Sequence, residues 1–257
     1  MNLIKKLRLH WCIEGLKTVA IMKNWPTVIM SNFHLGEETV MVRLRNGLKF
    51  MIRKNRTDSL VLREIFFKKI YHRNLYCLPR QSVVIDIGAN IGAFSILAAN
   101  LGENVTVYSY EPFSENFHLL EKNITLNGFD NRIVTFCFAV GNHIGEKVVL
   151  SKGSSGVSTI YEKSGNEVVI NMITLEEVFS ANNIHHCDLL KIDCEGAEYE
   201  ILYSTSQDIF DKIKFINMEF HEQFGTGKGR ELKAFLERKG FTVELKGNIV
   251  GYICAYR

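Results

Sequence analysis

Short runs of β-branched and aliphatic residues recur along the chain, separated by segments whose apolar residues are three or four positions apart. The run from Val83 to Ile85 is typical of a strand that is buried on both faces of a sheet. The segment after it, with Phe94, Ile96 and Leu97, has helical spacing. Because strands and helices alternate to the C-terminus and end in a strand pair, the sequence predicts an α/β fold. Its sheet is expected to be doubly wound and mostly parallel, with a C-terminal antiparallel strand pair.

The same pattern predicts the individual elements after residue 80. Strands are expected at 83–85, 105–110, 133–140, 188–192, 213–220, 241–245 and 249–255, and helices near 94–98, 114–127, 174–179, 198–201 and 230–239. Thr174, with Glu177 three residues later, resembles a capping box. Runs at 148–150, 158–161 and 168–170 predict a small antiparallel insertion, which either borders the substrate side of a pocket or is a solvated excursion.

Residues 1–80 predict an N-terminal extension packed on a main domain at 81–257. An amphipathic helix is expected near the start, with Leu3, Ile4, Leu7 and Trp11 on one side and Lys5, Lys6 and Arg8 on the other. Asn46 and Gly47 join two alternating runs, 39–45 and 48–53, into a hairpin. Asp58 is predicted to cap the following helix. We expect the extension to cover one side of a pocket.

Charge is distributed unevenly between these two parts. Residues 1–80 carry 16 Lys and Arg against 5 Asp and Glu, a balance of +11, whereas the whole chain has a net charge of only +3. Residues 81–257 therefore balance at −8. The basic N-terminal third predicts peripheral contact with an anionic surface, although its first helix could instead pack on its own domain.

Length and composition exclude several classes of protein. A chain of 257 residues with 46% apolar content is large enough for a substantial core. No apolar run approaches the roughly 18 residues that span a bilayer, and the first 20 residues lack the apolar segment of a signal peptide. The 6 cysteines include no Cys-x-x-Cys pair, as expected for reduced thiols. The sequence thus predicts a cytoplasmic protein.

Candidate chemistry is concentrated where the first strand of the main domain ends. Asp86 is followed by Gly88, Asn90 and Gly92, and Glu111 follows the next strand, where an acidic residue can accept hydrogen bonds from a ribose. The spacing Gly-x-Asn-x-Gly differs from a pyrophosphate cradle, and Asp86 would repel a phosphate but suit an ammonium or sulfonium group. These features favour S-adenosylmethionine over NAD. Alternatively, the glycines serve only a tight turn between strand and helix.

Several motifs resemble the FkbM-type S-adenosylmethionine-dependent methyltransferases. They are Asp-Ile-Gly-Ala-Asn-Ile-Gly at 86–92, Tyr-Glu-Pro at 110–112, Asn116, Asn127, and Leu-Lys-Ile-Asp-Cys-Glu-Gly-Ala-Glu at 190–198. The resemblance implies a Rossmann-like sheet of the class I methyltransferase type, with S-adenosyl-L-methionine as cofactor. It also implies O-methylation of a hydroxyl on a sugar or related small molecule. The predicted cofactor-binding residues are Asp86, Gly88, Asn90, Gly92, Glu111, Ala139 and Asp193.

Three further polar residues, Asp193, Glu219 and His221, are the predicted catalytic residues. They are expected at the carboxyl ends of neighbouring strands, where ligands bind in such sheets. A hydroxyl nucleophile must lose a proton, either to a side chain or with the help of a metal. His221 could act as the base, or the three side chains could hold a divalent ion. The metal-free route is slightly favoured, because nothing in the spacing requires an ion.

Two other functions are consistent with parts of the sequence. The basic N-terminal third suggests a nucleic-acid methyltransferase, but 193–196 reads Asp-Cys-Glu-Gly and contains neither an Asn-Pro-Pro-Tyr motif nor a Pro-Cys pair. A catalytically silent binding protein is disfavoured by the intact Asp86, Gly88, Gly92 and Glu111. We therefore expect a small-molecule or glycan acceptor and no nucleic-acid partner.

Overall fold

A seven-stranded sheet forms the centre of the computed structural model, which describes residues 16–31, 38–54, 56–151, 166–194, 196–221, 228–247 and 250–257. The strands are, in spatial order, β5 (Ile133–Phe136), β4 (Asn104–Tyr110), β3 (Gln81–Ile87), β9 (Cys187–Ile192), β10 (Ile213–His221), β12 (Val250–Tyr256) and β11 (Thr242–Gly247). The first five are parallel, and β12 is antiparallel to both of its neighbours. This confirms the predicted fold class.

Helices cover both faces of this sheet. They are α1 (Trp25–Ser31), α2 (Asp58–Arg63), α3 (His72–Leu75), α4 (Ala93–Ala99), α5 (Ser114–Asn127), α6 (Leu175–Ala181), α7 (Glu198–Ser204), α8 (Gln207–Phe210) and α9 (Lys228–Arg238). Val84 and Leu189 belong to one buried apolar cluster, whereas their neighbours Ile85 and Leu190 belong to another. Since successive side chains of a strand point to opposite faces, the central strands are buried on both.

The extension packs on the face formed by α4 and α5. Its hairpin, β1 (Thr39–Arg43) and β2 (Lys49–Arg53), confirms the predicted strand pair joined at Asn46 and Gly47, and Arg43 lies opposite Lys49. Two side-chain amides of α5 bond to the backbone of β2. Asn123 accepts from the Met51 N–H at 2.6 Å, and Asn127 accepts from the Lys49 N–H at 2.9 Å and donates to the Lys49 carbonyl at 2.7 Å. The edge of the hairpin is thereby tied to the main domain.

The predicted cap at Asp58 is wrong. Thr57 precedes α2, and Asp58 is the first helical residue. The buried Asp58 carboxylate accepts hydrogen bonds from the Arg53 backbone N–H at 2.8 Å and from its guanidinium at 2.7 and 3.0 Å. A bidentate hydrogen bond to a guanidinium is stronger than a hydrogen bond to a helix N–H. Asp58 therefore connects α2 to β2 and does not cap α2. A π-helical turn, Glu64–Lys68, continues α2.

The predicted third strand, 133–140, divides between two sheets. β5 ends at Phe136, and β6 (Ala139–Gly141) pairs parallel to β8 (Asn166–Thr174) in a separate sheet of order β6-β8-β7, with β7 at Gly145–Ser151. The runs at 148–150 and 168–170 pair antiparallel within β7 and β8, as predicted for the insertion, and β6 adds a parallel strand to that sheet. At the start of α6, Thr174 accepts from the Glu177 N–H at 3.2 Å, which confirms the cap at Thr174.

Some predictions concern residues outside the described ranges. These are the amphipathic helix with Leu3, Ile4, Leu7 and Trp11, and the run at 158–161. Within the parts of the chain that the structure describes, no helix combines the length and apolar content needed to cross a bilayer.

Candidate active site

A cavity of about 340 Å³ lies at the carboxyl ends of β3, β4, β9 and β10. The extension forms one wall with Leu60, Val61, Ile65, Ile70 and Tyr71. The insertion forms another with Ala139, Val140, Gly141, Ile170 and Met172. Both therefore border the cavity, and the volume is in the range of small-molecule sites.

The glycine loop between β3 and α4 packs closely against the rest of the chain. Gly88, Asn90 and Gly92 all have positive φ, at 76°, 51° and 84°. A Cβ on Gly88 would lie 1.8 Å from the backbone oxygen of Asp193, and one on Gly92 would lie 2.6 Å from Cδ1 of Leu120. These close approaches between protein segments require glycine at 88 and 92 whatever the loop binds. Gly88 and Asn90 also line the cavity, and the assignment of the loop to the cofactor stays a prediction.

Glu111 is buried beside this loop and lines the cavity. Its Oε2 accepts from the Asn90 N–H at 2.9 Å, and its Oε1 accepts from the Phe113 N–H at 3.0 Å and from the Asn116 amide at 3.2 Å. Burial raises the pKa of Glu111, and the N–H donors only partly offset this. Each carboxylate oxygen has two lone pairs, so Oε2 can accept a further ligand donor beside Asn90.

Asp86 lies behind the glycine loop rather than in the cavity wall. It is fully buried, accepts from Ser95 Oγ at 2.6 Å, and lies 3.0 Å from Nζ of Lys191. The predicted direct contact between Asp86 and a cationic ligand is therefore corrected, since Lys191 already neutralises this carboxylate.

Lys191 was not predicted as a site residue, although its charge within a buried strand was a visible signal. Its ammonium donates to the Gly88 carbonyl at 2.8 Å and lies 3.8 Å from Oδ2 of Asp193. Burial alone would lower the pKa of Lys191, but the carboxylates of Asp86 and Asp193 outweigh it and raise that pKa. One ammonium thus joins the ends of β3 and β9.

Asp193 and Glu219 come together in the cavity wall, as predicted from their places at the strand ends. The hydroxyl of Tyr71 lies 2.9 Å from Oδ2 of Asp193 and 3.3 Å from Oε2 of Glu219. Tyr71 was not predicted, and nothing in its local sequence pattern marks it.

His221 stands behind Glu219 and is not a residue of the cavity wall. Its Nε2 lies 3.5 Å from Oε1 of Glu219, and its Nδ1 lies 3.5 Å from Oε1 of the buried Glu198. Among the described residues, no group of three or more His, Cys, Asp or Glu side chains is arranged to hold a metal ion. The alternative of a metal held by Asp193, Glu219 and His221 is therefore not supported. Glu195 lies outside the described residues.

The strand order and the cavity together define a Rossmann-like fold of the class I methyltransferase type. The S-adenosylmethionine-dependent methyltransferase from Agrobacterium tumefaciens has the same fold, with a TM-score of 0.52 at 8% identity over 86% of this chain and 70% of that one. The family model described as the methyltransferase FkbM domain matches residues 86–243. The chain belongs to this family.

Two relatives illustrate how far the similarity extends. The 31-O-demethyl-FK506 methyltransferase FkbM of Streptomyces tacrolimicus is 26% identical over 234 residues, which cover 79% of this chain and 88% of that protein. The AMB antimetabolite synthetase AmbE of Pseudomonas aeruginosa is 26% identical over 226 residues, which cover 72% of this chain but only 11% of AmbE. The chain thus matches nearly all of the first relative and a small part of the second.

Proposed function

We propose that this protein transfers a methyl group from S-adenosyl-L-methionine to a hydroxyl oxygen of a sugar or related small molecule. The observation that carries the proposal is the distribution of acidic groups along one cavity. Glu111 follows β4, and Glu219 lies in β10, three strand spacings or about 14 Å away across the sheet. A cavity of this length has room for a nucleoside at one end and a second substrate at the other.

The residues of the first end fit the cofactor. Glu111 would accept from ribose hydroxyls, the loop at Gly88 and Asn90 would form the floor, and Ala139 would border the base. Lys191 pairs with Asp86, which lies outside the cavity wall, so the carboxylate of Asp193 in the wall beside Gly88 would bind the cofactor's ammonium group. When bound, S-adenosylmethionine supplies an electrophilic methyl group.

The residues of the second end suit a hydroxyl acceptor. Asp193 and Glu219 are hydrogen-bond acceptors, and Glu64, Glu200 and Lys147 add polar groups to the same cavity wall. Sugars and related polyols present many donors to such a surface. A carboxylate within reach of the acceptor hydroxyl can also take its proton. The name of the relative from Streptomyces tacrolimicus, a 31-O-demethyl-FK506 methyltransferase, supports oxygen as the methylated atom.

The test is transfer of labelled methyl from S-adenosylmethionine to a panel of sugars and polyols, with amines and RNA as competing acceptors. We expect labelled methyl ethers, identified by NMR, and no salt-dependent shift of labelled RNA. Label on nitrogen or on RNA would contradict the proposed acceptor. A protein that does not bind S-adenosylmethionine in calorimetry would contradict the proposed activity as a whole.

Replacing Glu111 with alanine is expected to weaken the binding of S-adenosylmethionine at least tenfold. A hydrogen bond to a charged acceptor contributes about 1.5–3 kcal/mol, and 1.4 kcal/mol corresponds to tenfold. Calorimetry measures the effect, with thermal unfolding as a check because Glu111 also holds Asn90 and Phe113. The control is Glu115→Ala, whose side chain is 65% exposed and contacts Arg53 and Arg56. Equal affinities of wild type and Glu111→Ala would remove Glu111 from the site.

The affinity for S-adenosylmethionine should also depend on pH through Glu111. The charged carboxylate is the better acceptor, and burial raises the pKa of Glu111 above its ordinary value. Affinity should therefore be highest when Glu111 is ionised and should fall as pH is lowered through that raised pKa. Calorimetry of wild type and Glu111→Gln across acidic pH measures this. A Glu111→Gln variant with the same pH dependence as the wild type would assign the effect to another group.

We also propose that the extension binds the surface of an anionic lipid bilayer. Arg43 and Lys49 are exposed and directly opposite each other on β1 and β2, and the Lys23 N–H donates to the Arg43 carbonyl. Like charges in such positions repel each other, and an anion relieves this. Trp25 and Met30 on the adjoining α1 are also exposed, at 36% and 55%.

Reversing these three charges, in Lys23→Glu with Arg43→Glu and Lys49→Glu, should weaken binding to phosphatidylserine-containing vesicles roughly hundredfold. Each basic residue near such a surface contributes about 1 kcal/mol. Sedimentation with the vesicles measures binding, and Lys122→Glu with Arg238→Glu and Lys246→Glu is the control of equal charge change. Equal losses in both variants would indicate an effect of net charge alone, and no vesicle binding by the wild type would refute the proposal.

A further inference from the structure

Tyr71 lies outside residues 86–243, yet its side chain forms part of the candidate active site. It precedes α3 in the extension and is 3% exposed. Its hydroxyl is within hydrogen-bond distance of two carboxylates that belong to neighbouring strands, at 2.9 Å from Asp193 and 3.3 Å from Glu219. The extension therefore contributes a polar group to the cavity in addition to an apolar wall.

The position of Tyr71 is held from several sides. Its backbone carbonyl accepts from the buried Asn217 amide at 2.8 Å, and Asn217 in turn accepts from the Asn74 amide at 3.0 Å. Its ring packs edge-to-face on Phe94 and Tyr252, with centroid distances of 5.7 and 6.4 Å. Asn217 lies two residues before Glu219 on β10, so the same strand anchors the backbone of Tyr71 and presents a carboxylate to its hydroxyl.

The two carboxylates occupy neighbouring positions at the edge of the sheet. Ile192 pairs with Met218, so Asp193 and Glu219 are the next residues on adjacent parallel strands. Like charges at this spacing repel, so hydrogen-bond donors nearby are needed to hold the two side chains together. Several charged or titratable groups face the pair: Lys191 at 3.8 Å from Asp193, His221 at 3.5 Å from Glu219, Tyr252 in a hydrogen bond with Glu219, Glu198 behind His221, and Glu64 near Tyr252.

We propose that Tyr71 is a positioning residue whose hydroxyl hydrogen-bonds to the carboxylates of Asp193 and Glu219 and so holds both of them directed into the cavity. This inference rests on the proposed function. For each methyl ether formed, the S–CH3 bond of S-adenosylmethionine would break with its electron pair remaining on sulfur, and the acceptor oxygen would form the new bond to the methyl carbon. The acceptor O–H bond would break, and its proton would pass to one of these carboxylates, then to solvent. Nothing is oxidised or reduced. Burial and the two carboxylates raise the pKa of Tyr71 well above its ordinary range, so the hydroxyl keeps its proton and remains a donor.

The experiment follows the two carboxylates directly and needs no acceptor. Protein labelled with ¹³C at the Asp and Glu carboxyl carbons is titrated by NMR, and Asp193→Asn and Glu219→Gln assign the signals. In Tyr71→Phe the ring contacts remain but the donor is lost, so at least one of the two signals should titrate about one pH unit higher than in the wild type. The control is Tyr76→Phe, which makes the same change at a side chain that is 60% exposed in the same segment.

Unchanged titrations of both carboxylates in a folded Tyr71→Phe variant would overturn the proposal. If that variant does not fold, wild-type protein labelled at the tyrosine Cζ provides the second measurement. The chemical shift of the Tyr71 Cζ signal should then change over the pH range in which the Asp193 and Glu219 signals titrate. A Tyr71 chemical shift that stays constant over that range would equally overturn the proposal. Calorimetry with S-adenosylmethionine on the same wild-type sample tests the proposed function separately. A protein that does not bind S-adenosylmethionine refutes that function. The titration results for Tyr71 are independent of this outcome.

Discussion

Replacing Gly88 with alanine is expected to destabilise the protein by about 2–4 kcal/mol. A positive φ costs a non-glycine residue about 1 kcal/mol, and forcing an extra carbon into a packed interior costs about 1–3 kcal/mol more. The atom in the way is the backbone oxygen of Asp193, which cannot rotate aside as a side chain would. The Asp193 N–H also donates to the Ile87 carbonyl at 3.0 Å, so a shift would disturb the pairing of β3 and β9.

Gly128→Ala is the matched control for this prediction. Gly128 ends α5 with φ at 69°, close to the 76° of Gly88, but a Cβ there would meet nothing within 4 Å. The Gly128→Ala variant should therefore lose only the free energy associated with the positive φ, about 1 kcal/mol. Urea unfolding of both variants measures the difference. Equal losses of stability would mean that the backbone conformation, and not the approach to Asp193, requires glycine at 88.

Replacing Lys191 with methionine is expected to cost about 3–5 kcal/mol of folding free energy, because it leaves the buried carboxylate of Asp86 without its cation. Asp86 is 0% exposed and interacts with the Ser95 hydroxyl and the Lys191 ammonium. In the variant only the Ser95 hydroxyl of these two would remain. Methionine preserves most of the side-chain volume of lysine. The loss of folding free energy therefore reflects the missing charge more than a change in packing.

A double-mutant cycle separates the ion pair from other effects of the substitution. Asp86→Asn combined with Lys191→Met should recover much of the lost stability, since neither charge then remains unpaired. Urea unfolding of the wild type, both single variants and the double variant provides the four free energies. Strictly additive losses would show that Asp86 and Lys191 are not coupled and would refute the role assigned to Lys191.

Local patterns were enough to predict the sheet and much of the site. Val83 to Ile85 has the pattern of a buried strand, and the carboxyl ends of parallel strands meet at one edge of a sheet. The pattern therefore predicts Glu111, Asp193 and Glu219 at that edge, and all three line the cavity there. The hairpin at Gly47 and the cap at Thr174 depend on residues a few positions apart. Interactions between residues only a few positions apart can be predicted from the sequence alone.

Partner choice among distant residues was not predictable in this way. The run at 133–140 has strand composition throughout, but which sheet each half joins depends on β8, about 30 residues later. Aspartate can cap a helix or pair with a guanidinium, and the local sequence around Asp58 is compatible with both. Only the tertiary contact with Arg53 determines which interaction forms.

What the sequence alone determined is therefore the order and type of the main elements, together with the acidic residues at the carboxyl edge of the sheet. Only the tertiary structure decided which charges remain available at that edge. Lys191 neutralises Asp86, and Tyr71 bonds to Asp193 from 122 residues away. The physical reason is that hydrogen bonds and ion pairs form between whichever groups the packed chain brings within about 3 Å, and for these residues that proximity exists only after the extension, the glycine loop and the strands have packed together.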